Sequence, residues 1–421
     1  MSMFEHTHIR ITQQTKKRLK EVKYDYESYN DVIQRMLDNM CYSYPNSNVN
    51  MSTCLDLDID AISRKIIRVL NKNPEYGSKE LANTLKVDET QVQYRLKKLK
   101  DDGIYLGKTI EIDFYRLDLV DMTVLIPCMP KKIEEMRRLL DSPYRYIFIP
   151  YEGPSTGVLV QYHLPSKLSD RYIQKIRDLS EYVPQIYISN HYRTFNSNLY
   201  YYKKTIDDKL KWDEWRNRIV DPNKPKNVSR STSFDSIDLD VLAKLYAQKH
   251  RSTEELVEAI NSEDYLSNPN IDREEFDRRK RRLVEEGVIV RFMCRFQFPS
   301  KYSPITYFYT IPLSRELNID VIHDIFVNLP MFGTVALSED KTLLVWSVMS
   351  AGEHHVMREL WRSVPFWDFV KPFPRVYILD MSKRFVRGFP SHCYSDDEGW
   401  KDLDLGELTK WDVEHDKSRG W

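Results

Sequence analysis

The stretch ELANTLKVDETQVQYRLKKLKDDGIYLGKTIEID, residues 80–113, decides how this chain is read. Ser78 stands as the N-cap of a helix whose Leu81 and Leu85 face inward. A short turn, Lys86–Val87–Asp88, leads to a second helix. Asp88 is its expected cap, with Gln91 three residues on in a capping-box variant. In that helix Val92, Leu96 and Leu99 recur at i, i+4 and i+7 and must face a core. The opposite face carries Gln91, Gln93, Tyr94, Lys97 and Lys98. Amides pair bidentately with adenine, and cations meet phosphates or guanine. An alternating segment, GIYLGKTIEIDF, follows and reads as a hairpin wing. A solvated three-helix bundle explains the helices alone; the wing favours a winged helix-turn-helix whose recognition helix follows Asp88 and ends near Lys100.

Upstream, Ile62, Ile66, Val69 and Leu70 form the apolar stripe of a preceding helix. Downstream, from Asp121, the order is strand, helix, strand, strand, helix, strand, ending near Tyr192. After a polar, basic linker, DPNKPKNVSRSTS (221–233), helices return, and a second βαββαβ order runs from Ile305 to Ser382. Aligning Val92 with Phe276 and Gly103 with Gly287 sets REEFDRRKRRLVEEGVI opposite the recognition helix. This second copy has about ten extra residues around NSEDYLSNPN. Its third helix opens with Asp272, Glu274, Glu275 and Asp277, which repel phosphates. Arg278, Arg279, Arg281 and Arg282 remain for backbone contact, but a structural role is the expectation.

Residues 57–205, and more weakly 235–388, resemble the Lrp/AsnC (feast/famine) transcription regulators. The resemblance implies a winged helix-turn-helix joined to a ferredoxin-like domain that dimerises and often senses amino acids. Ligand sites of that family lie at a Gly-rich turn. Here the corresponding turns are EGPSTG (152–157), with Ser155 and Thr156 where an acid is expected, and LSEDKT (337–342), without glycine. An effector is therefore left unassigned.

The first forty residues pose a separate question. HIRIT, residues 8–12, has the alternation of a half-buried strand, with no strand nearby to pair with. With the helices QQTKKRLKEVK and ESYNDVIQRML it resembles a ribbon-helix-helix domain. The resemblance implies that the strand pairs with its copy in a second chain, giving a homodimer whose two-stranded ribbon enters the DNA major groove. Ile9 and Ile11 point to Leu19, Val22, Tyr29, Val32, Ile33 and Met36. His8, Arg10 and Thr12 point outward as readers; a shift of register puts Thr7 or His6 in place of His8. Ser28 caps the second helix, whose N-terminus suits a phosphate. About forty residues bury too little core to stand alone, which supports the dimer.

The resulting expectation is an α+β chain. It comprises a ribbon-helix-helix (1–40), a linker (41–54), a winged helix-turn-helix (55–118) and a ferredoxin-like domain (119–205). A helix and linker (206–233), a degenerate winged helix-turn-helix (234–300), a second ferredoxin-like domain (301–388) and an acidic Trp-containing tail (389–421), partly ordered at best, complete it. The two βαββαβ units are expected to pair within the chain.

Bulk composition bounds the rest. The 421 residues hold 63 Lys and Arg against 63 Asp and Glu, so general coating of nucleic acid by charge is disfavoured. Five cysteines without a CxxC argue against a zinc site or disulfide framework and for a reducing compartment. No apolar run reaches the ~18 residues of a membrane span, and no phosphate-cradling Gly motif occurs. No cofactor and no metal are expected. The histidines His163, His191, His323, His354 and His355 fall in or near the βαββαβ units. Tandem units of this kind also resemble siroheme decarboxylases, but no motif of that family is legible, and an enzyme is not expected. An antitoxin is disfavoured by the folded modules that follow the ribbon. The expectation is a cytoplasmic, nucleoid-associated regulator that binds double-stranded DNA at a palindromic operator, with no membrane partner. The domain combination suggests a prokaryote, archaeal by preference. A nucleoid-organising protein of low sequence specificity is the alternative.

Overall fold

A computed structural model describes residues 59–195, 233–247, 252–262, 270–296, 305–327, 332–349, 369–371 and 374–407. Packing divides the chain into two units, Met1–Thr53 and Cys54–Trp421, and the described residues belong to the second. The ribbon-helix-helix, the 41–54 linker, residues 206–232 and the helix expected at EHHVMRELWRSV lie outside them.

In chain order the elements begin with helices α1 (Ala61–Lys72), α2 (Ser78–Leu85) and α3 (Glu89–Asp101) and strand β1 (Tyr105–Ile112). Then come β2 (Leu119–Pro127), α4 (Ile133–Leu139), β3 (Arg145–Glu152), β4 (Gly157–Pro165), α5 (Ser169–Leu179) and β5 (Gln185–Phe195). Helices α6 (Ser236–Tyr246), α7 (Thr253–Asn261) and α8 (Arg273–Glu285) lead to β6 (Ile289–Phe296). The remainder is β7 (Ile305–Pro312), α9 (Ile319–Val327), β8 (Phe332–Ser338), β9 (Thr342–Met349) and β10 (Arg375–Leu379), then three two-residue strands. These are β11 (Phe385–Val386), β12 (Tyr394–Ser395) and β13 (Gly399–Trp400).

Helices α1 to α3 form because apolar residues recur at helical spacing. Ile66, Ile67, Leu70, Leu81, Val92 and Leu99 are all buried in one cluster. The caps differ in part from expectation. Asp60 caps α1, accepting from the Ile62 and Ser63 amides at 2.9 Å. The N-cap of α2 is Gly77, one residue before Ser78, and its amide is held by Glu80 Oε2 at 3.0 Å. Asp88 occupies the N-cap of α3 but makes no side-chain capping bond. Gly103, at φ 68°, ends α3 by letting the Ile104 amide reach the Leu99 carbonyl at 2.9 Å.

The segment expected to be a hairpin is a single strand. Its partner is distant: β1 pairs antiparallel with β6, Ile110 opposite Phe292 and Glu111 opposite Arg291. Gly107, at φ 108°, borders an irregularity in this ladder instead of making a turn. The two strands exchange cores. Cys294 and Phe296 of β6 pack with α1 to α3, whereas Ile110 and Ile112 of β1 join the core that includes α6 to α8.

The larger sheet runs β10-β7-β9-β8-β5-β2-β4-β3-β11, and β10 also pairs with β3. Eight antiparallel strands therefore close into a barrel with β11 appended to β3, which removes the open edges. The ladder between β5 and β8 (Arg193 opposite Val335) and that between β10 and β3 (Leu379 opposite Tyr151) join the two βαβ-containing halves. Leu125, Ile149, Tyr151, Leu159, Tyr187, Phe308, Leu344 and Tyr377 share the cluster on one face of the strands. Met122, Val124 and Ile126 alternate to the other face, packing with Met136, Tyr172 and Ile176 of α4 and α5.

The start of the acidic tail is folded through residue 407, and residues 408–421 lie outside the described residues. Phe389, Cys393, Trp400 and Leu405 are buried. The Trp400 indole donates to the Leu117 carbonyl at 2.8 Å, and Tyr144 donates to the Lys401 carbonyl at 2.7 Å. Aromatic burial holds this acidic segment against the core.

Candidate nucleic-acid interface

Helix α3 is fixed against α1 by Arg95, whose Nε lies 3.1 Å from Asp60 Oδ1. Asp60 thus caps one helix and anchors another. Burial pushes its carboxyl up, but the Ser63 amide and Arg95 more than offset this and hold it below the usual carboxylate range. On the other flank, Ser78 donates to Glu89 Oε1 at 2.6 Å, which ties the start of α2 to the start of α3. Between the helices, Lys86 adopts the left-handed conformation at φ 54°, and the Val87 amide closes the turn on the Ala82 carbonyl at 3.1 Å.

Held this way, α3 buries Val92 and Leu99 and half-buries Leu96. The five reading candidates Gln91, Gln93, Tyr94, Lys97 and Lys98 are all exposed, Tyr94 at 66%. Among the described residues no carboxylate pairs with Lys97 or Lys98. Gln93 is the exception to a free face: its amide nitrogen lies 3.2 Å from Glu89 Oε1 and 3.5 Å from Ser78 Oγ. It must release that contact to reach a base.

Helix α8 shows the opposite electrostatics. Asp272 caps it through the Glu275 amide at 2.8 Å. Arg278 and Arg279 bond Glu275, and Arg279 also reaches Asp235 and Asp238 at 2.7 and 2.8 Å. Arg282 pairs with the fully buried Asp238. Arg279 and Arg282 tie α8 to α6, while Arg278 stays within α8 on Glu275.

The other candidates separate clearly. His8, Arg10, Thr12 and Ser28 lie outside the described residues. The EGPSTG turn joins β3 to β4, and a Cβ at Gly153 would meet the Val376 carbonyl oxygen at 2.6 Å, so the turn is shaped by β10. LSEDKT is the β8–β9 turn, where the Thr342 amide donates to Ser338 Oγ at 3.1 Å. His163 is fully buried and stacked on Phe114 with centroids 4.0 Å apart. His323 contacts the Thr194 carbonyl at 2.9 Å. Among the described residues no group of three His, Cys, Asp or Glu is arranged for a metal, and no helix is long and apolar enough to cross a membrane. Sequence reading missed the anchoring role of Arg95, visible only once Asp60 is known to cap α1.

Residues 59–104 match a family model described as winged helix-turn-helix DNA-binding. An HTH-type transcriptional regulator of Pyrococcus horikoshii is 30% identical over 91 residues, 21% of this chain and 61% of that protein. One from Pyrococcus furiosus is 30% identical over 86 residues, 20% of this chain and 57% of that protein. The chain thus spans about three fifths of the length of these relatives. Among solved structures, the siroheme decarboxylase NirDL aligns over 85% of this chain and 99% of its own, at 11% identity and a TM-score of 0.46. AsnC of E. coli aligns over 31% of this chain and 91% of its own, at 21% identity and a TM-score of 0.26. The family match thus gives residues 59–104 as a winged helix-turn-helix DNA-binding domain.

Proposed function

We infer that the protein is a sequence-specific DNA-binding transcriptional regulator. The observation that carries this reading is the exposed face of α3, with Gln91, Tyr94, Lys97 and Lys98 on a helix anchored at both flanks inside the matched domain. In the reading, α3 lies in a major groove, Gln91 and Tyr94 meet base edges, and Lys97 and Lys98 neutralise phosphates. The N-terminal ribbon pairs two chains through HIRIT, with His8, Arg10 and Thr12 as further readers and a phosphate at the helix capped by Ser28. One two-stranded ribbon and two winged helices then call for a long palindromic operator, bound with avidity set by the 41–54 linker. The two βαββαβ units act as one duplicated scaffold, and no catalytic step or cofactor is part of the reading.

Fluorescence anisotropy on full-length protein tests it. Lys97→Ala/Lys98→Ala should weaken duplex binding, and Ile11→Asp should halve the mass in solution. Binding that ignores sequence would instead favour a nucleoid-organising role.

A further inference from the structure

We propose that the outer face of α1 is a second, sequence-independent contact for duplex DNA, made to the phosphate backbone beside the site that α3 reads. The proposal rests on the DNA-binding reading of the first module.

Helix α1, AISRKIIRVLNK, contains no acidic residue. Arg64, Lys65, Arg68 and Lys72 are exposed on the face opposite the buried Ile66, Ile67 and Leu70. Arg64, Arg68 and Lys72 stand at i, i+4 and i+8. At ~1.5 Å rise per residue they run along ~12 Å of helix. One DNA strand offers a phosphate about every 3.4 Å of axis, so that length matches roughly three phosphates. Like charges at i, i+4 repel and weaken a helix by a few tenths of a kcal/mol per pair. Solvated faces usually mix signs, which avoids this cost. Among the described residues no carboxylate pairs with Arg64, Lys65 or Lys72, while Arg68 makes a contact of its own. Asp60, four residues before Arg64, pairs with Arg95.

The fold does not require a basic first helix. Its counterpart α6, SIDLDVLAKLY, has Lys244 as its one basic residue and two aspartates. Residues 59–104 carry ten Lys and Arg against seven Asp and Glu, whereas residues 235–288 carry nine against fourteen. In a chain of zero net charge, positive charge is gathered in the module that holds the reading helix. The Asp60–Arg95 bond joins the start of α1 to α3 directly, and in the proposal the α1 stripe meets the backbone that flanks the duplex seated on α3. A polyanion is the partner this face fits, and duplex DNA is the one already at hand.

The test uses full-length protein and a fluorescent 40-base-pair duplex, titrated from low to high salt. The comparison is between wild type, Arg64→Ala/Lys65→Ala/Lys72→Ala, and a control that removes three exposed charges elsewhere, Lys131→Ala/Arg138→Ala/Lys383→Ala. Each lost phosphate contact lowers the slope of log K against log salt by ~0.9. The α1 variant should lose about two to three units of slope and at least about tenfold in affinity at 0.1 M salt. Its sequence preference and melting temperature should not fall, and the control should keep the wild-type slope. An α1 variant with wild-type slope, or a control that loses as much, overturns the proposal while leaving the reading of α3 intact. Wild-type protein that binds no duplex at any salt overturns both.

Discussion

Glu111 on β1 and Arg291 on β6 face each other across the two-stranded wing, with Arg291 Nη2 and Nε 2.8 and 3.0 Å from Glu111 Oε2. The Glu111 side chain is wholly buried, and the same oxygen accepts from the Thr194 amide of β5 at 3.2 Å. Its other oxygen stands 3.5 Å from Arg193, an ion-pair distance that is too loose for a good hydrogen bond. One carboxylate thus joins both strands of the wing to the barrel. Removing Glu111 leaves the Thr194 amide and the half-buried Arg291 without this acceptor. Arg291 is partly exposed, so Glu111→Ala should cost about 1–3 kcal/mol in urea unfolding, the range for a lost hydrogen-bonded partner, and Glu111→Gln less. A variant as stable as wild type would show that the joint is held by packing alone.

Asp121 and His163 lie opposite each other on β2 and β4 with no hydrogen-bond partner for Asp121 Oδ1 or either His163 ring nitrogen. Burial pushes the Asp121 carboxyl up to about 7. The unfolded chain ionises near the ordinary carboxylate value, so stability should fall as pH rises from about 4 to about 7, by on the order of 4 kcal/mol. Asp121→Asn should remove that fall. It should match wild type near pH 4 and exceed it at pH 8 in thermal denaturation.

His163 works in the other direction. Burial lowers its imidazole to about 3. Below the ordinary histidine value the unfolded chain binds a proton that the folded chain does not. Its contribution is therefore present above about 6.5 and lost as pH falls toward 3. His163→Phe, which keeps a ring beside Phe114 and Tyr146, should flatten the acid limb of the stability profile.

Trp400 is 5% exposed and meets Tyr394 and Tyr144 edge to face, at 5.2 and 6.3 Å between centroids. Trp400→Ala should cost about 3–5 kcal/mol, the range for a large aromatic removed from a core. Truncation at residue 388 should be at least as damaging. Unchanged melting in either case would mean that the tail is dispensable.

On α3, Lys97→Ala and Lys98→Ala should each weaken binding uniformly across sequences. Gln91→Ala should relax preference at one base position by about 1–3 kcal/mol. Gln93→Ala should matter less, because Gln93 is already engaged by Glu89.

The helices of the first module were legible because periodicity and turn length act locally: Ile66, Leu70, Leu81, Val92 and Leu99 all lie where their spacing puts them. Pairing is non-local and was not. Gly107 in an alternating run looks like a hairpin turn, yet the partner of β1 is β6, and nothing in either strand names the other. Barrel closure through Leu379 and Tyr151 was hidden for the same reason. The reading face was legible as residue types, but Gln93's engagement and the Arg95 anchor depend on side chains brought together by folding.

The most direct measurement is selection of bound sequences from random duplex DNA, with full-length protein, a version beginning at residue 55, and Gln91→Ala/Lys97→Ala/Lys98→Ala. A long palindromic motif that loses its centre on truncation and disappears in the α3 variant is the predicted result. A motif that survives the α3 variant unchanged, or binding with no motif at all, would contradict the account.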